Sequence, residues 1–95
     1  MSMLALGPEL TIAQAATVRE ALLQALQAGA GDLALDLSGV IDFDSAGVQL
    51  LLATRRSLQA QGRALVLHQP SAAVRDALQC LGLRQLLPAA HGAHE

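Results

Sequence analysis

Apolar stretches of strand length alternate along this chain with apolar stretches of helical period, and glycine or proline punctuates each change. That alternation constrains the fold most, because strand, helix and next strand close most readily as a right-handed parallel crossover. Met3 to Leu6 is a short apolar run that stops at Gly7-Pro8, as proline cannot donate to an interior ladder. Thr11 then opens a helix. Its hydroxyl is set to accept from an early backbone N–H while Gln14, three residues on, reaches back as in a capping box. Ala15, Val18, Leu22, Ala25 and Leu26 give that helix one apolar face until Gly29 ends it.

Leu33, Leu35 and Leu37 alternate with Ala34 and Asp36, which reads as a strand with one greasier face. A second helix runs from about Ser45 to Gln61 with Val48, Leu51 and Leu52 on its apolar face, and Gly62 supplies the stop. Ala64 to His68 reads as a buried strand before Gln69-Pro70. Ser71 is set to cap a third helix, with Val74, Ala77, Leu78 and Leu81 facing the core and Gly82 closing it. Leu83 to Leu87 fits either period, and residues 88–95, with His91 and His94, read as a flexible tail. The expectation is one α/β domain over residues 1–95: a small mixed, mainly parallel sheet of about four strands, with helices packed mostly on one face.

Composition narrows the function. Phe43 is the only aromatic residue, so no stacking platform for single-stranded nucleic acid can be built. The six basic residues are all arginine and scattered, and the net charge is -2, so no basic stripe for a phosphate backbone or an anionic membrane emerges. Cys80 is alone, which excludes an intramolecular disulfide and a thiolate zinc cluster. The first residues carry no basic stretch, and every apolar run stops well short of the roughly 20 residues that span a bilayer. A cytoplasmic protein with no metal, no cofactor and no nucleic-acid partner is expected. No phosphate-binding loop is present, the first turn being Gly7-Pro8-Glu9-Leu10.

One constellation carries a mechanism. Leu35-Asp36-Leu37-Ser38-Gly39 leads through Val40 to Phe43 into Asp44-Ser45-Ala46-Gly47-Val48 at the start of the second helix. This stretch resembles the STAS domain, the family of sulphate transporters and anti-sigma-factor antagonists, in which a D-L-S type strand end leads to a D-[ST]-[STAG]-G-[LV] helix start. Leu6-Gly7-Pro8-Glu9-Leu10-Thr11, Ser71-Ala72-Ala73-Val74-Arg75 and Cys80-Leu81-Gly82-Leu83 resemble further family segments in order and spacing, so the resemblance spans roughly residues 3–87. It implies that Ser45 is a phosphoacceptor, and that Asp44, Ser45, Ala46, Gly47 and Val48 form the surface where a protein partner docks. The implied partner is an anti-sigma factor acting as serine kinase. Two further subgroups are similar: short STAS proteins found with chemotaxis components, to which the chain looks closest, and the small subunit of phospholipid-trafficking ABC systems, which binds an ATPase without modification. Two departures stand out, Ala46 and Gln49 in place of a hydroxyl residue and a glycine. The family's first strand also has no counterpart before Met3, which would leave a sheet edge for a dimer to cover.

A helix start presents unpaired N–H groups and a positive dipole end, so a phosphate on Ser45 should leave the domain folded and act on the partner through repulsion and desolvation. Against this stands the plain reading that Ser45 or Asp44 is a helix cap and Gly47 permits close packing. An enzymatic alternative makes Ser45 the nucleophile of a G-x-S-x-G elbow, but Phe43 occupies the first glycine position. Asp36 fits a structural acceptor of loop N–H groups, and His68 the half-buried polar end of a strand.

Overall fold

The computed structural model describes residues 2–87; the expected tail lies outside the described residues. Eight regular elements follow one another: β1 (Ser2–Ala5), β2 (Glu9–Leu10), α1 (Ala15–Ala28), β3 (Leu33–Asp36), β4 (Asp42–Phe43), α2 (Ser45–Ala60), β5 (Leu65–His68) and α3 (Ala72–Cys80). Strands β1, β3 and β5 form one sheet in that order, with Leu4 opposite Leu35 and Leu35 opposite Leu67, and every pairing is parallel. The α/β architecture is therefore the expected one, but the strands are divided differently. Three make the main sheet, and β2 and β4 form a separate two-stranded parallel ribbon, with Leu10 opposite Phe43.

Side chains alternate across a strand, and the odd positions of β3 meet the helices. Leu33, Leu35, Leu37 and Leu67 join Val18 and Leu22 of α1, Leu51 and Leu58 of α2, and Val74 and Leu78 of α3 in one buried cluster. β3 thus has the greasier face that its alternation suggests; on its other face Ala34 is also buried, a small side chain between the flanking strands β1 and β5, and Asp36 is half-buried. On α2, Val48 and Leu51 are buried and Leu52 packs against the cluster from its edge.

The helix ends follow the glycines. Gly62 and Gly82 have φ of 70° and 71°, a left-handed turn that costs glycine nothing. The amide after each donates to the helix's last turn, Arg63 N–H to the Leu58 carbonyl and Leu83 N–H to the Leu78 carbonyl, both at 2.8 Å. This turn overturns the expected place of Leu81. The chain folds back at Gly82 and brings Leu83 toward the core, and Leu81, just past the end of α3, is 57% exposed. Leu83–Leu87 resolves into a short 3-10 turn over Arg84–Leu86.

The capping box at Thr11 does not form. Residues Ile12–Gln14 make a 3-10 turn in which the Gln14 amide donates to the Thr11 carbonyl at 3.0 Å, so that donor is lost to the hydroxyl and α1 starts only at Ala15.

Candidate functional site

The ribbon β2–β4 holds the segment that the sequence singles out. β3 ends in Asp36, whose Oδ1 accepts the Ser38 amide at 3.0 Å and the Ser38 hydroxyl at 2.8 Å. These two bonds hold the Asp36 carboxyl below its ordinary range, helped by the nearby His68, so Asp36 fixes the loop as its sequence context suggested. The chain then turns back along β2: the Ile41 and Asp42 amides both donate to the Pro8 carbonyl, at 2.7 and 3.2 Å, and the Asp44 amide donates to the Leu10 carbonyl at 3.2 Å.

Asp44 is the cap of α2. Its Oδ1 accepts from the Ala46 and Gly47 amides at 2.8 and 3.4 Å, and its backbone is extended. Its other oxygen, Oδ2, accepts the Ile12 amide at 3.1 Å, across 32 residues of sequence. One carboxylate thus ties the start of α2 to the turn before α1. The Ile12 amide is the main reason that the Asp44 carboxyl lies below the usual carboxylate range, with the Ala46 and Gly47 amides adding to it.

Because Asp44 caps the helix, Ser45 is its first residue, exposed, and its hydroxyl makes no hydrogen bond among the described residues. Ala46 is half-buried beside it. Gly47 and Val48 point inward: Gly47 is buried, and a Cβ there would stand 2.6 Å from the Leu10 carbonyl oxygen and 2.7 Å from Phe43 Cε1. Val48 is 4% exposed. Of the residues expected to form a docking surface, Ser45 and the rims of Asp44 and Ala46 are presented, and Gly47 and Val48 pack the helix onto the ribbon.

Two exposed aliphatic residues that sequence reasoning passed over lie on the same ribbon region. Ile12, whose amide binds Asp44, is 76% exposed beside the helix start, and Ile41, 72% exposed, stands at the other end of β4, where its amide binds the Pro8 carbonyl. Their signal was present but weak: each is a large aliphatic residue that no helical or strand period absorbs. The ribbon and the helix start themselves carry carboxylates, from Glu9, Asp42 and Asp44.

The remaining candidates lie elsewhere. Ser71 caps α3 through the Val74 amide at 3.4 Å. His68 is half-buried opposite Asp36, and its Nε2 is enclosed without a hydrogen-bond partner among the described residues. His91 and His94 lie outside the described residues. Among the described residues no group of three or more His, Cys, Asp and Glu could hold a metal ion, Cys80 is an exposed thiol, and no helix is long and apolar enough to cross a membrane.

A small parallel sheet with helices on its inner face and an aspartate-capped Asp44-Ser45-Ala46-Gly47 helix start defines a STAS-type module. The family model described as "Mlab, STAS domain" matches residues 1–88, and the chain belongs to the STAS domain family. Among solved structures it is similar to the anti-sigma factor antagonist SpoIIAA in its unphosphorylated form, with 27% sequence identity and a TM-score of 0.76 over 94% of this chain and 79% of that one. No curated protein matches the chain.

Proposed function

We propose that this protein is a regulatory protein-binding module whose partner docks over Ser45 and the neighbouring Ile12, and that phosphorylation of Ser45 switches that binding off. The observation that carries the reading is the division of labour at the start of α2. Asp44 does the capping, which leaves the Ser45 hydroxyl exposed and without a structural task. The similarity to an anti-sigma factor antagonist, solved in an unphosphorylated form, supports an anti-sigma factor or serine kinase as the partner.

The geometry refines how a phosphate would act. The Ala46 and Gly47 amides are already occupied by Asp44, so a phosphate on Ser45 is not drawn down onto them and projects outward. There it places about -1.5 to -2 charges beside a carboxylate and the exposed Ile12, a surface that an apolar partner face could no longer desolvate cheaply. The effect is on the partner, by binding rather than by catalysis, and the domain stays folded.

Affinity capture from the native host with wild type, Ser45→Ala and Ser45→Asp tests this, together with mass spectrometry of Ser45. The reading requires a partner kept with Ala and lost with Asp. A second reading, a constitutive subunit bound to a transporter ATPase, is favoured by the Mlab description of the matching family model. It requires a partner indifferent to both substitutions and a Ser45 that is never modified. A chemotaxis component as partner is the third outcome that the captured proteins would identify.

A further inference from the structure

β1 is an edge of the main sheet, and one hydrogen bond fixes which of its backbone groups are free. The Leu6 amide donates to the Asp36 carbonyl at 3.1 Å, and Leu4 lies opposite Leu35. Backbone groups point to alternate sides along a strand, so Leu4 and Leu6 face β3 while the N–H and C=O groups of Met3 and Ala5 point away from the sheet. Nothing among the described residues pairs with them. Apart from its length of four residues, the strand carries none of the usual protections of an edge: Ser2–Ala5 contains no charge, no proline and no bulge. Met3 is 58% exposed, whereas Val66, in the same row on the opposite edge strand, is half-buried.

We propose that β1 is a homodimerisation edge, at which two copies of this chain pair antiparallel about a two-fold axis at Leu4. The free groups of Met3 and Ala5 are two residues apart, and under that axis Met3 of each copy exchanges both backbone bonds with Ala5 of the other. A neutral strand meets its own image without like-charge repulsion, and each exposed Met3 side chain lies over Ala5 of the second copy on the open face of the sheet. The result is one continuous sheet with the Ser45 surface of both copies left free. An edge this short buries less than the roughly 1,200 Å² of a standard stable interface, so monomer and dimer exchange in roughly the micromolar to millimolar range.

Sedimentation equilibrium of the full chain over that concentration range reads the association directly. Wild type should move from monomer to twice the monomer mass, and Ala5→Pro, which removes only an outward-facing N–H, should weaken the dimer at least about tenfold. Register is tested separately in a Cys80→Ser background. A mixture of Met3→Cys and Ala5→Cys chains should crosslink to the heterodimer on mild oxidation, because hydrogen-bonded antiparallel pairs stand about 5.5 Å apart, within disulfide reach. Either variant alone should crosslink poorly, its two cysteines being diagonal across the axis. A wild type that stays monomeric throughout overturns the proposal, as does a dimer in which the mixed pair crosslinks no better than the single variants. The cysteine result holds whether or not Ala5→Pro folds.

Discussion

Gly47→Ala puts the packing of α2 on the ribbon to a quantitative test. The new Cβ would lie 2.6 Å from the Leu10 carbonyl oxygen and 2.7 and 2.8 Å from Phe43 Cε1 and Cδ1. The Phe43 ring can rotate away, but the Leu10 carbonyl is backbone, fixed by the Asp44 amide at 3.2 Å and by pairing with Phe43. On an open helix surface the same substitution gains about 1 kcal/mol of helix propensity. Here overpacking costs about 1 to 3 kcal/mol, and displacing the carbonyl weakens a hydrogen bond of about 1 kcal/mol. The balance is a net loss of about 2 kcal/mol, which for a domain of this size lowers Tm by roughly 8 to 16 °C. Gly31→Ala is the control, since a Cβ there meets nothing within 4 Å and its φ is ordinary; it should be neutral or stabilising by up to about 1 kcal/mol. Thermal and urea unfolding followed by circular dichroism measure both. A Gly47→Ala protein as stable as wild type would refute the claim that this glycine exists for close approach.

Asp44→Ala should lower Tm clearly whereas Ser45→Ala should leave it within error, because Asp44 makes the cap and Ser45 makes none; equal losses in thermal scans would contradict that assignment. The folded Asp44 and Asp36 carboxyls lie below their unfolded values, so the stability they contribute is complete above the unfolded carboxylate pKa and lost as pH falls below about 4. Urea titrations at stepped pH should show a shallower acid limb for Asp44→Asn. Arg63→Lys should destabilise nearly as much as Arg63→Ala, because one guanidinium reaches the Gly31 and Leu26 carbonyls and the Gln61 side chain at 2.7, 3.0 and 2.7 Å, and an ammonium cannot span that fork. Leu51→Asp should abolish cooperative folding, since Leu51 is 0% exposed at the centre of the core and its burial contributes about 1.5 to 3 kcal/mol before the cost of the charge; a cooperative near-wild-type melt would disprove its place there.

Much of the fold was written in local pattern. Periodicity placed α2 and α3 within a residue of their observed limits, and Gly62 and Gly82 marked their ends, because helix period and left-handed turns are properties of a few neighbouring residues. The sequence also located the Asp44-Ser45-Ala46-Gly47 helix start and the loop-fixing role of Asp36. What it could not assign was the work done within that motif, since the deciding contacts join residues far apart in the chain. The Ile12 amide reaches Asp44 across 32 positions, and it helps make Asp44 the anchor that leaves Ser45 free. Long-range pairing also joined β2 and β4 into a ribbon apart from the main sheet, buried Gly47 against Leu10, and left Ile12 exposed beside the start of α2. Sequence period specifies which face of an element is apolar, but only the packing of elements on one another determines which of those faces is covered.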